Sequence, residues 1–289
     1  MKLLSLCTIL FLKALLMVWL VTSGTIGLGP DEAQYWTWSQ SLDWGYYSKP
    51  PGIAWLIYFG TQIFGNSELG VRFGSILVGS LIPLAVYALA RACRLQKETA
   101  FWAGLILAFS PLGILSSLFA ITDVGMVFFW TLSCIVIASA LAKGITPNYY
   151  LFGFLICVGA FFKWPIYLLW IFPFLLMPVY SNLRSFHFIG GLFVSLFGLL
   201  PSVIWNSQHD WATFQHVFTT MQGGHAREAG ATPLIQGNLF DFLGAQAGLL
   251  SPILFVMLIM AFVVMIRNIR EMWPSVLFCG WRLGVWLMT

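Results

Sequence analysis

The polar residues of this chain are few enough to follow one by one, and the most informative group lies in a single stretch. Asp31 and Glu32 follow Pro30, and a lone lysine, Lys49, stands further along, with Tyr35, Trp36, Trp38, Trp44, Tyr46 and Tyr47 between them. Such an aromatic bed can stack on a sugar ring or lie along a lipid chain. Asp123, in Ile121-Thr122-Asp123-Val124, stands at the end of two apolar runs. Facing a polar cavity it would serve as a ligand or a base. Lys163, in Phe161-Phe162-Lys163-Trp164-Pro165, is a candidate for holding an anionic headgroup. Each of these has a simpler reading: Asp31 and Glu32 as charges at a surface helix start, Asp123 as a helix N-cap, and the two lysines as snorkelling interface residues. Arg72 reads either as a further cation or as the i,i+4 partner of Glu68.

A second polar stretch runs Trp205-Asn206-Ser207-Gln208-His209-Asp210-Trp211, followed by His216, Gly223-Gly224-His225 and Arg227-Glu228. His209 and His216 stand at i,i+7 and would share a helical face, but no metal-ligand spacing such as H-E-x-x-H is present. Gly223, Gly224 and Gly230 read as a mobile cover. The sequence has no Walker loop, no G-x-G-x-x-G and no G-x-S-x-G, so nucleotide-driven transport and serine hydrolysis find no support.

The elements that position these residues must live in a bilayer. The chain has 289 residues, 60% hydrophobic and 8% charged, with a mean hydropathy of +0.87. Soluble domains are about 25% charged. A disordered tail, a secreted disulfide scaffold and a cytosolic enzyme are therefore excluded. The net charge of +4 is small and implies no nucleic-acid partner. Cys7, Cys93, Cys134, Cys157 and Cys279 are scattered through apolar runs, as small hydrophobes rather than a metal or disulfide framework.

Spanning the hydrocarbon takes about 20 apolar residues at ~1.5 Å rise each. The expected architecture is all-α and polytopic, a single domain over 1–289 with about nine transmembrane helices, near 3–22, 68–90, 99–119, 122–142, 148–163, 165–180, 187–205, 246–266 and 273–289. The first run is read as a retained helix rather than a cleaved signal peptide. A cytoplasmic N-terminus puts Arg91, Arg94, Lys97, Lys143, Arg184, Arg267 and Arg270 inside. Asp31, Glu32, Asp43, Glu68, Asp123, Asp210, Glu228 and Asp241 then fall outside, leaving Glu98 and Glu271 within. Two outer loops are long, 23–67 and 206–245, and the first should carry amphipathic helices from Pro30 and over 53–64 that lie in the headgroup zone.

The stretch Asp31-Glu32-Ala33-Gln34-Tyr35-Trp36 through Gly45-Tyr46-Tyr47-Ser48-Lys49-Pro50-Pro51, then Arg72, resembles the polytopic C-type glycosyltransferases. More closely it is similar to the branch of protein mannosyltransferases and aminoarabinose–lipid A transferases. Thr122-Asp123 and Trp205 through Trp211 match bacterial members of that branch. The resemblance implies inverting transfer of a sugar from a polyprenyl-phosphate donor to a hydroxyl of a lipid A-type glycolipid, glycan or protein, on the periplasmic face of a bacterial inner membrane. It makes Asp31 the general base or acceptor-positioning group, Asp123 a second catalytic acid residue, and Lys49 a donor-phosphate contact. Glu32, Tyr46, Tyr47, Arg72, Lys163, His209 and Asp210 are the further substrate-binding candidates. Ser48 stands where relatives commonly carry a residue that in some of them helps hold a metal, so no metal ligand and no resident cofactor is assigned. Family members usually continue past the point where this chain stops, so a C-terminally incomplete form is expected. A lipid-linked-glycan transporter or a non-catalytic membrane subunit is the alternative. Transport would place polar residues at mid-membrane depth in broken helices, whereas here they gather at the outer boundary.

Overall fold

The computed structural model describes residues 1–221, 239–264 and 267. The chain forms two compact units, Met1–Leu234 and Ile235–Thr289. No strand occurs among the described residues. The first unit opens with α1 (Lys2–Thr22), α2 (Pro30–Ser39), α3 (Gly52–Phe64) and α4 (Glu68–Ala92). Then come α5 (Lys97–Phe109), α6 (Pro111–Leu118), α7 (Thr122–Lys143) and α8 (Tyr149–Ala160). A 3-10 helix, Trp164–Trp170, leads into α9 (Ile171–Leu176), and α10 (His187–Leu196), α11 (Leu200–Gln208) and α12 (Ala212–Met221) complete the unit. In the second unit the helix Leu239–Leu250 is followed by Pro252–Val264.

The described residues do not confirm the nine spans expected. Among the described residues α1, α4, α7 and the continuous His187–Gln208 run are each long and apolar enough to cross a bilayer. The number rises to six if each of two bent helix pairs counts as one span. One bent pair is α5–α6, where the expected 99–119 helix turns by 63°. The turn is built by Ser110, whose side chain caps Gly113 N–H at 3.0 Å, and by Pro111 at the first helical position. The other bent pair is Leu239–Gly248 with Pro252–Val264, at 111°. The break expected between 148–163 and 165–180 forms at Lys163-Trp164-Pro165, but the pieces on either side are short. What forms is a 12-residue helix of only ~18 Å, then a 3-10 segment and a six-residue α9. The expected 273–289 span lies outside the described residues.

α4 is the centre of the first unit, with α1, α3, α5, α6 and α7 packed around it. Glycine permits close approach: a Cβ on Gly79 of α4 would fall 2.6 Å from Ser117 Cα of α6. The alternating helix directions sort the charges. Lys2 pairs with Glu98 at 2.8 Å at one end of the bundle, and the Arg94 guanidinium donates to the Ala142 carbonyl there. Asp31, Glu32, Asp43, Glu68 and Asp123 belong to segments at the opposite end. α2 and α3 do not merely rest at that end. Tyr35, Ile53, Ile57 and Val71 form one buried cluster with Ala120.

One polar residue departs from the expected boundary placement. Lys13, midway along α1, is 3% exposed. Its ammonium donates to the Gly113 carbonyl at 3.1 Å and to Ser117 Oγ at 2.8 Å, both on α6. A lysine within a membrane run is costly unless it finds such acceptors.

Candidate active site

At the loop end of the bundle, α2 starts with Gly29-Pro30-Asp31-Glu32. Pro30 supplies a preset φ, and Glu32 at the third helical position reaches back to Gly29 N–H at 3.0 Å. The same carboxylate then meets Arg72 side-on, with Nε to Oε1 at 2.9 Å and Nη2 to Oε2 at 2.7 Å. Ala120 N–H also donates to Oε1, at 2.9 Å. Arg72 spends its remaining bonds on the Ile26 and Gly27 carbonyls, each at 2.8 Å, and lies over the Phe119 ring. Burial works to raise the Glu32 pKa, but the Arg72 bonds, the Gly29 and Ala120 N–H groups and the Arg72 charge outweigh it and hold the carboxyl below its ordinary value. This arrangement corrects one expectation: Arg72 pairs with Glu32, not Glu68, and both side chains are buried and turned toward each other. They fix the loop Ile26–Gly29 and the α6–α7 turn around α2.

Asp31, one residue earlier, is exposed, and its carboxylate makes no hydrogen bond among the described residues. Tyr35, one turn on, is buried, and its pKa is pushed up to about 12 by that burial and by the negative charges of Asp31 and Asp123. The tyrosine thus feels both carboxylates, which come from segments far apart in sequence. Asp123 sits inside the first turn of α7, with Ile121 rather than itself at the N-cap. Its two oxygens accept from Lys163 Nζ at 2.8 and 3.0 Å. Lys163 is delivered by the break after α8. There Gly52 N–H donates to Phe161 O at 2.7 Å, and Phe162 packs where a Cβ on Gly125 would stand. That bond ties the segment of Lys49 to the segment of Lys163, because Lys49-Pro50-Pro51 leads directly into Gly52. The half-buried Lys49 ammonium has no hydrogen bond or ion pair among the described residues.

An apolar chamber of about 270 Å³ opens beside the pair, lined by Ile82, Pro83, Leu107, Leu112 and Val127, with Asp123 on its wall. Tyr46 is buried. Its hydroxyl lies 3.1 Å from the Trp38 carbonyl and accepts Asp43 N–H at 3.1 Å, and its ring stacks on Trp38 at 4.9 Å. Burial raises its pKa. As placed it anchors the loop. Tyr47 is exposed and packs against His216 at 5.0 Å.

The second polar stretch proves to be a clasp on the first. Asn206 is fully buried: Oδ1 accepts Thr213 N–H at 2.9 Å, and Nδ2 donates to Ser202 O and Thr213 Oγ1. Thr213 Oγ1 in turn donates to Tyr46 O at 2.8 Å. Trp205 Nε1 donates to Asp43 Oδ2 at 3.0 Å, and His209 stacks on Trp205 at 4.0 Å. Asp210 and Trp211, with φ of 51° and 58°, turn the chain sharply between α11 and α12. That turn breaks the helical face expected to join His209 and His216. Asp210 is exposed, and only its backbone carbonyl is bonded, to Gln215 at 2.9 Å. Among the described residues no three His, Cys, Asp or Glu side chains converge as a metal-ligand set. Gly223, Gly224 and Gly230, expected as a cover, lie outside the described residues, as do His225, Arg227 and Glu228.

Sequence reading named Asp43 and Asn206 without giving either a role, and it passed over Lys13. Lys13 announced itself as the one charge midway along an otherwise apolar run. Asp43 and Asn206 gave no periodic signal, because their partners lie more than a hundred residues away or across a turn.

An all-helical polytopic membrane protein, with an acid–lysine pair and, among the described residues, an unbonded carboxylate and an unbonded lysine at one end of its bundle, is the class that fold and site define. Within it, the chain belongs to the dolichyl-phosphate-mannose-protein mannosyltransferase family, whose family model matches residues 48–205. It is 34% identical to the lipid A galacturonosyltransferase RgtD of Rhizobium johnstonii over 249 residues, 82% of this chain and 50% of that protein. It is 31% identical over 127 residues to the undecaprenyl phosphate-alpha-4-amino-4-deoxy-L-arabinose arabinosyl transferase of Pseudomonas aeruginosa, 40% of this chain and 23% of that one. A Proteus mirabilis transferase of the same description is 34% identical over 89 residues, 27% of this chain and 16% of the other. The chain thus spans half the length of the galacturonosyltransferase and less of the arabinosyl transferases. No solved structure matches.

Proposed function

We propose that this chain carries the catalytic face of an inverting glycosyltransferase that moves a sugar from a polyprenyl-phosphate carrier to a hydroxyl of a lipid A-type glycolipid. A glycan or protein hydroxyl is the alternative acceptor. The reading places the N-terminus in the cytoplasm of a bacterium and the reaction at the periplasmic face of its inner membrane, from the basic residues at one bundle end and the acids at the other. The observation that carries it is Asp123, paired with Lys163 on the wall of an apolar chamber, with the Lys49 segment tied to the Lys163 segment by the Gly52–Phe161 hydrogen bond. The relatives named for transfer from a lipid-phosphate sugar and for lipid A support the substrate classes.

In this mechanism the acceptor oxygen attacks the anomeric carbon from the side opposite the phosphate. The bond from that carbon to the phosphate oxygen breaks, and the acceptor proton passes to Asp31. A positioned base of this kind contributes ~10²–10⁴-fold. Negative charge growing on the departing polyprenyl phosphate is met by Lys49 and by Lys163, which Asp123 holds in place. The flippase alternative asked for polar groups at mid-depth, and Lys13 beside the bent α5–α6 pair is one. Its bonds to Gly113 and Ser117 account for it locally, and the other buried charge of these helices, Arg72 near the start of α4, is paired with Glu32 of the first loop.

Asp31→Asn should abolish sugar transfer while radiolabelled donor still binds. Transfer at the wild-type rate would remove Asp31 from the base role. Lys49→Ala should weaken donor binding, and unchanged donor affinity would take Lys49 out of the site.

A further inference from the structure

On the flank of the first loop, Leu42, Asp43, Trp44 and Trp55 line an open cleft of about 250 Å³. Trp44 is 52% exposed and meets Trp55 edge-on, with centroids 6.0 Å apart. Trp55 is fixed: its Nε1 donates to the Asp43 carbonyl at 3.1 Å, and its ring abuts Phe161 at 5.7 Å. The Asp43 carboxylate is fixed as well. Oδ1 accepts Trp44 N–H at 2.7 Å, and Oδ2 accepts the Trp205 indole N–H at 3.0 Å. Each oxygen keeps acceptor capacity for a further donor.

We propose that this cleft is a pyranose subsite, in which a sugar ring lies against the Trp44 indole and donates a hydroxyl or amino hydrogen to Asp43. The proposal rests on the sugar-transfer reading above. Tryptophans that only anchor a protein at the bilayer interface need no carboxylate between them. A lipid chain would strip water from Asp43 and offer nothing in exchange, and a phosphate or uronate would meet its negative charge. A neutral or amino pyranose supplies both an apolar C–H face and hydrogen-bond donors. The volume lies near the lower end of small-molecule pockets, ~300 Å³, and so suits one ring. The same ring chemistry is offered by the donor's sugar and by the sugars of a glycolipid acceptor.

The test uses the full chain in lipid nanodiscs and saturation-transfer NMR with methyl β-D-glucoside, methyl β-D-glucosaminide and methyl β-D-glucuronide. The first two should receive saturation from indole protons, and the glucuronide several-fold less. Trp44→Ala should cut the signal about fivefold. This variant is mild for the fold, since the Trp44 side chain touches only the Trp55 ring among the described aromatic contacts. Trp102→Ala, at a residue 50% exposed on α5, should leave the signal unchanged. Asp43→Asn should erase the preference against the glucuronide. Equal signals from all three probes, or a signal indifferent to Trp44→Ala, would overturn the subsite. In transfer assays, a raised KM for the acceptor assigns the cleft to the acceptor sugar, and a raised KM for the donor assigns it to the donor sugar. Unchanged KM values for both, with transfer intact, would overturn it. If the wild type transfers no sugar while the Trp44-dependent saturation persists, the transfer reading fails and the subsite stands.

Discussion

Asp31 and Glu32 are neighbours in sequence with opposite situations, because successive residues on a helix point about 100° apart. Glu32 turns into the protein and is consumed by Arg72, Gly29 and Ala120, whereas Asp31 stays open to solvent. The buried pair contributes stability only while both members are charged. Removing one partner leaves an uncompensated charge, so Glu32→Gln should cost about 3–5 kcal/mol, read as a lower unfolding temperature in detergent. The sign of the pH dependence follows from the lowered Glu32 pKa. Its contribution is fully present above the ordinary carboxyl value of 4.5 and is lost as the pH falls through the lower folded value. The gap in unfolding temperature between wild type and Glu32→Gln should therefore narrow as the pH drops below 4.5. A gap that stays constant through that window would show that Glu32 is not the titrating group. From sequence, Asp31 and Lys49 could be singled out as candidates by their residue types and the surrounding aromatics. The partner of Glu32 was not legible, because it lies 40 residues away and only packing brings it near.

At the scale of elements, the site depends on places where backbones touch. The N-terminus of α3 meets the break after α8 through Gly52 N–H and Phe161 O, 2.7 Å apart, and a Cβ on Gly52 would itself lie 2.7 Å from that oxygen. Neither partner is a flexible side chain, so Gly52→Ala must part the two segments. The expected result is a loss of about 1–3 kcal/mol of stability together with weaker donor binding, because Lys49 and Lys163 hang from those segments. Donor affinity and unfolding temperature both at wild-type values would show that the contact does not position the lysines. The clasp at Asn206 makes a parallel case. Asn206→Ala leaves the Thr213 N–H without its acceptor in a buried turn, at a cost of about 1–3 kcal/mol. Helix starts such as Pro30 and Pro111 were readable because proline and small polar caps act locally. The break at Lys163-Trp164-Pro165 was readable as well, whereas hydropathy does not register that the helix before it, at 12 residues, is too short to span.

For the whole molecule, composition fixed the solvent, and the alternating helices of the first unit then placed basic residues at one end and acids at the other. Lys13 is the exception, and its energetics decide what it is for. An ammonium at the centre of a spanning helix costs ~2.5–3.5 kcal/mol on insertion scales. Two hydrogen bonds from a charged donor return about 1.5–3 kcal/mol each, so its net effect on stability is near zero or modestly favourable. Gly113 O also accepts from Ser117 Oγ at 2.7 Å, so removing the lysine does not orphan that carbonyl. Lys13→Met, which keeps the length and apolar stem, should therefore shift the unfolding temperature by only a few degrees. Its consequence lies instead in the angle of α6. Gly113 forms part of the chamber wall, and α6 leads through Phe119 and Ala120 to the Glu32 carboxylate and to Asp123. Without the bond from α1, that wall is free to tilt, and the chamber beside Asp123 loses its shape. Transfer activity should fall about tenfold in Lys13→Met while the protein still folds, and Lys13→Arg, which can restore a donor to α6, should recover part of it. A methionine variant with wild-type turnover would mean that α6 is held by α4 alone, through the close contact of Gly79 with Ser117.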